Sequence, residues 1–154
     1  MPDEVLHQPL SADGNSLAVL FQHIGNNLRS RFTDFLTTDG EKSWRHRDQE
    51  FVEGGAVRAA LLAQWNEGWS TLEATLSSLS AEDMSRDVRI RDVPLRVDAA
   101  LLRSLAHVAY HVGQVVQLAR HLYGDDWQSL SIPRGDSIAY RQNPTKERSP
   151  GGSD

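Results

Sequence analysis

Apolar residues recur at three- and four-residue steps in three long stretches of this chain. In the first, Leu17, Leu20, Ile24, Leu28, Phe32 and Phe35 form one stripe, which predicts a helix to about residue 36. Asn15 or Ser16 suits its N-cap, and Thr38, Asp39 and Gly40 suit its stop. In the second, Leu62, Trp65, Trp69, Leu72, Leu76 and Leu79 alternate steps of three and four, predicting a helix over 56–79. That narrow seam suits helices packed about 20° apart, and it makes Trp65 and Trp69 core residues. In the third, Asp98 caps a helix ending at Gly124, with Leu101, Leu102, Leu105, Val108, Val112, Val115 and Leu122 facing inward.

The segments between these stretches read differently. Residues 1–14 carry Pro2, Pro9 and Gly14 and form an irregular lead-in. Residues 37–55 are a long charged connection, which Trp44 and Phe51 would anchor as an ordered loop. Ser80 with Asp83 resembles a cap for one further helical turn. Residues 87–97 alternate apolar and charged positions, predicting a short hairpin in which Pro94 excludes a central strand. Beyond Asp125, Trp127, Leu130 and Ile132 suit a tail lying across the bundle, and 142–154 is Pro/Gly/Ser-rich and expected to be disordered. The expected architecture is all-α, an up-down helical bundle in one domain over 15–141.

Composition narrows the function. With 154 residues the chain suits one core. A net charge of −5 argues against a nucleic-acid partner, which needs a basic surface. Arg86, Arg89, Arg91 and Arg96 do cluster, but Asp83, Asp87, Asp92 and Asp98 interleave them and suggest a solvated, charge-balanced surface. With no cysteine, thiolate metal sites and a cysteine nucleophile are excluded, and a cytoplasmic location fits. No apolar h-region and no apolar run near 20 residues is present, so neither a signal peptide nor a membrane partner is expected.

The candidate chemistry lies in the histidines. His107 and His111 are four residues apart within the third helix, so both imidazoles share one face. His23 lies beside the stripe of the first helix. Three imidazoles from two packed helices can hold a divalent metal and leave one position open. His121 lies ten residues past His111, roughly 15 Å along the axis, too far to share a metal. His7 and His46 fall in irregular segments and read as solvated. The motif HVAYH lacks the glutamate of HExxH, so no zinc-protease base is present. Asn26, Asn27 and Gln114 are candidates to orient the imidazoles. Tyr110 is a candidate proton donor, or else a core aromatic with its hydroxyl at the rim. Arg45 and Arg47, in a loop that reads as a lid or simply as solvated, are candidates for an anionic substrate group.

The stretch NSLAVLFQHIGNNLRSRFTDFLTTDGEKSWRHRDQEF, with the later HVAYHVGQ and SIPRGDS, resembles the DinB/YfiT-like superfamily of metalloenzymes, in its branch of uncharacterised DinB-like domains. The resemblance covers about residues 15–140. It implies a four-helix bundle with a three-histidine site for nickel, zinc or a similar ion, carried here by His23, His107 and His111. It also implies thiol-dependent transferase or isomerase relatives using low-molecular-weight thiols, beside others tied only to stress. EVLHQPLSADGNS resembles the connection after that family's first helix, so three long helices are expected where the family has four. A late start of the chain, the tail after Gly124 or a second subunit would account for the missing helix; left unfilled, its place predicts an exposed apolar strip and a homodimer.

These readings combine into a metal-dependent transferase or hydrolase acting on a small molecule. The alternative is a non-catalytic, stress-related bundle, an interaction module whose metal, if any, is structural. A fourth protein ligand such as Glu50 or Asp48 would favour that alternative by closing the metal shell.

Overall fold

The computed structural model describes residues 2–145 and divides the chain into two compact units, Met1–Leu122 and Tyr123–Asp154. In the first unit, α1 (Leu17–Phe32) begins at Ser16, whose hydroxyl accepts from the Val19 amide at 3.1 Å. It stops four residues earlier than the apolar stripe implies. Thr33 turns extended, its hydroxyl donates to the Arg29 carbonyl at 2.7 Å, and Asp34 is left-handed at φ 48°. Phe35 remains buried although it lies in the turn beyond the helix. The stripe therefore continues through a turn, a case in which burial outlasts helical geometry.

The second long helix, α2 (Arg58–Ser78), lies against α1. Contacts between them advance in the same direction along both chains: Phe21 meets Trp65, Gly25 meets Gly68, and the Thr75 hydroxyl donates to the Phe32 carbonyl at 2.9 Å. The two helices are thus parallel, which corrects the up-down expectation. The connection 33–57 is long enough to carry the chain back along the roughly 24 Å of α1. A Cβ on Gly68 would lie 2.3 Å from the Gly25 carbonyl oxygen, so only this glycine pair lets the backbones approach so closely. The seam is shifted from expectation as well. Trp65, Trp69, Leu72 and Leu79 pack on the core, but Leu62 and Leu76 are exposed and Leu61 is buried instead.

After α2, Ser80 and Asp83 form a reciprocal cap: the Asp83 carboxylate accepts from the Ser80 amide and hydroxyl at 2.9 and 2.8 Å. The antiparallel pair β1 (Asp87–Ile90) and β2 (Val93–Arg96) follows, joined by Arg91 and Asp92 with φ 57° and 63°. Pro94 pairs with Arg89 at the edge of this two-stranded sheet, where a missing N–H is tolerated. The fold is therefore mostly helical with one small hairpin, rather than all-α.

The longest helix, α3 (Val97–Tyr123), runs opposite to α1. Its early residues Val97 and Ala100 join Phe32 and Phe35 in the core, whereas Leu118 joins Leu17 and Leu20. Its inward face carries Val97, Ala100, Leu101, Val108, His111, Val115, Leu118 and Leu122. Leu102, Leu105 and Val112, expected inside, are exposed. The helix starts one residue before the expected cap. The Asp98 carboxylate accepts from the Ala99 amide and pairs with Arg96.

The lead-in is not wholly irregular, because Asp3–His7 forms a 3-10 turn. His7 is not free in solvent either: its Nδ1 bonds the Glu53 carboxylate at 2.8 Å and its Nε2 bonds the Ala56 carbonyl at 3.2 Å. In the second unit, Gly124 takes φ 57° after α3, Trp127 packs on Tyr123, and α4 (Ser137–Gln142) is a short helix. Of the tail expected to be disordered, 146–154 lies outside the described residues. No helix among the described residues is long and apolar enough to cross a membrane.

Candidate metal centre

Antiparallel packing of α1 and α3 sets His23 opposite His107 and His111. One ring nitrogen from each can be chosen so that all lie within 4.8 Å of one another. His23 Nε2 and His107 Nε2 are 3.2 Å apart. Two nitrogens bound to one tetrahedral ion at 2.0–2.1 Å would stand about 3.3 Å apart. The donor set therefore fits a divalent metal.

The remaining ring nitrogens strengthen the fit. His23 Nδ1 lies 2.8 Å from the Glu50 carboxylate, so it is the N–H that donates there and the Nε2 lone pair faces its partners. His111 Nδ1 lies 3.0 Å from Gln114 Oε1, which fixes its tautomer in the same sense. His107 Nδ1 is buried with no hydrogen-bond partner among the described residues. Burial, reinforced by His111 and His23, pushes the His107 pKa down to about 4. Burial also lowers that of His111, against the opposing hydrogen bond from Gln114. Neutral imidazoles are the form that ligates a metal.

Glu50 is the centre of the support. It is 3% exposed, and Arg45 grips it with two hydrogen bonds of 2.8 Å. Burial raises the carboxyl, but hydrogen bonds from Arg45 and His23 outweigh it and hold the group below its usual range. Glu50 meets His23 at Nδ1, on the other side of the ring from the Nε2 that faces His107, and it is not one of the grouped donors. The 3-10 turn Arg47–Phe51 presents Glu50, and Phe51 packs on the His23 ring at 4.6 Å. The long charged connection is accordingly an ordered wall of the site, as Phe51 suggested. Trp44 remains 43% exposed and is covered by the Arg29 guanidinium.

The histidines border a cavity of about 560 Å³. Asn27, Gln114, Tyr110 and Arg47 line it as well, and the Tyr110 ring lies 5.0 Å from that of His111. Tyr110 is largely exposed, not a core aromatic. Arg47 stacks on Phe51. Asn26 lies elsewhere, lining a separate hollow with Gln22 and Gln64. Arg45 reaches the cavity but is committed to Glu50. His46 and His121 are exposed.

Sequence reasoning missed the cavity's other arginines. Arg31, Arg89, Arg91 and Arg103 all border it. Arg103 was signalled by its place one turn before His107. Arg89 and Arg91 carried no signal, because only the docking of the hairpin brings them in.

A family model described as "Protein of unknown function (DUF1572)" matches residues 1–136. Neither a curated protein nor a solved structure matches the chain. That match spans His23, Glu50, the hairpin, His107 and His111, and the chain belongs to the DUF1572 family.

Proposed function

We propose that this chain is a divalent-metal-dependent enzyme, of transferase or hydrolase class, acting on a small molecule in a DinB-like bundle. The observation that carries the reading is the convergence of three imidazoles, two with their inner nitrogens oriented by Glu50 and Gln114, on a cavity of ligand size. Zinc or nickel suits the three nitrogens, and the resemblance to DinB-like proteins adds a low-molecular-weight thiol as cosubstrate. A bound metal supplies Lewis-acid activation of a group entering the cavity. Glu50, held by Arg45, fixes the His23 ring. Gln114 fixes His111. Tyr110, which lines the cavity with its ring 5.0 Å from that of His111, would give or take a proton. Because Glu50 sits on His23 Nδ1 and outside the group of three nitrogens, it is no fourth ligand, which favours an open site over a closed structural one.

The test is metal content of untagged protein by plasma mass spectrometry, beside a His107→Ala/His111→Ala variant. The expected result is about one equivalent of a transition metal per chain, lost in the variant while circular dichroism stays helical. No metal in either protein after reconstitution with zinc or nickel overturns the reading.

A further inference from the structure

Among the described residues six arginines border the histidine cavity, and no acidic side chain does: Arg31, Arg45, Arg47, Arg89, Arg91 and Arg103. This occurs in a chain of net charge −5. The carboxylates paired to them do not balance the six. Arg45 is committed to Glu50, while Arg31 and Arg91 share the single carboxylate Glu41 at 3.2 and 2.9 Å. Arg47 meets Asp48 at 3.5 Å, where Asp48 is almost fully solvated. Arg89 donates to the Asp92 carbonyl, a neutral group. Arg103 has no hydrogen bond or ion pair among the described residues. Arg89 and Arg103 thus border the histidine cavity with no carboxylate partner among the described residues.

The hairpin is built to hold this arrangement. Its two turn residues are left-handed, which suits Asn-Gly but costs Arg and Asp. The Asp39 carboxylate offsets that cost by accepting from the Arg91 and Asp92 amides at 2.9 and 2.7 Å. The Gly40 amide donates to the Arg89 carbonyl at 2.8 Å, and Ser30 of α1 donates to the Gly40 carbonyl at 2.8 Å. Arg89 and Arg91 are therefore fixed to the element that carries His23. On α3, Arg103 lies one turn before His107, about 6 Å along the axis.

We propose that the cavity selects a small organic anion, a carboxylate or a phosphate, gripped by Arg103 together with Arg89 and Arg91. The planar guanidinium matches both groups through paired hydrogen bonds. Gripped there, the anion sets the rest of the molecule beside the histidines. The proposal deepens the metalloenzyme reading and rests on it only for the reacting centre; the anion grip stands on the arginines.

Calorimetric titration with inorganic phosphate and with succinate tests it, on the wild type, Arg103→Gln, Arg89→Gln and His107→Ala/His111→Ala. Arg120→Gln, on the exposed side of α3 away from the cavity, is the control. At least one probe is expected to bind the wild type and the control. Affinity should fall about tenfold or more in each cavity arginine variant, in keeping with a lost charge-assisted bond, and should weaken with added salt. The tighter probe names the anion. Since Arg103 and Arg89 are exposed, both variants should fold, with circular dichroism as the check. Absence of binding by both probes, or binding that the arginine variants leave unchanged, overturns the proposal. Anion binding by a protein that takes up no metal would sink the metal reading and leave this one standing. Metal uptake without anion binding would do the reverse.

Discussion

Glu50 shows how one residue couples stability to chemistry. Its carboxylate neutralises Arg45, whose side chain is 1% exposed, and orients His23 through Nδ1. Removing its charge leaves a buried guanidinium uncompensated, which typically costs about 3–5 kcal/mol. Loss of an orienting partner of a metal-bound imidazole typically weakens metal affinity by about 10–100-fold. Glu50→Gln is therefore expected to lower both the urea midpoint and the zinc affinity read by competition with a chelating dye. A folded variant with unchanged zinc affinity would leave Glu50 a purely structural role. His107 and His111 were legible from spacing alone, since four residues make a helical turn. The Glu50 contact was not, because it joins positions 27 apart through a folded loop.

Among the elements, the pairing of α1 with α2 depends on what two residues lack. At Gly68 a methyl group would drive into the Gly25 carbonyl, so the helices would have to separate. Overpacking of this kind costs about 1–3 kcal/mol, and Gly68→Ala should lose about that much in denaturant unfolding. Gly113 on α3 is the contrast, because a methyl there meets nothing within 4 Å. Gly113→Ala should gain up to about 1 kcal/mol from helix propensity. Equal stability of the two variants would refute the close-approach argument. The stripe of α1 was readable in full, from Leu17 to Phe35. The faces of α2 and α3 were readable only in part, since Leu62, Leu76, Leu102 and Leu105 fit the apolar period yet stay exposed.

At the scale of the whole molecule, those exposed leucines gather. Leu76, Leu102 and Leu105 border an apolar hollow of about 270 Å³ floored by Phe32, Trp69, Leu72 and Val108. We propose that a second copy of the chain covers it, because the same strip on two copies is self-complementary about a two-fold axis. Light scattering on the eluting protein should give twice the 17.2 kDa chain mass, and Leu102→Glu/Leu105→Glu should return it to one. A clean wild-type monomer counts against this association.

The sequence by itself determined the three long helices, the hairpin with Pro94 at its edge, the reciprocal cap of Ser80 and Asp83, and the candidate pair His107 and His111. Each is a local property, set by helical period, turn chemistry or i, i+4 spacing. Only tertiary structure decided that α1 and α2 run parallel, that Glu50 and Arg45 support His23, that Asn26 lies away from the site, and that Arg89 and Arg91 join it. Those outcomes depend on how far the connection 33–57 carries the chain and on which surfaces meet across it. A one-dimensional pattern records which residues prefer burial, but not which neighbour will bury them.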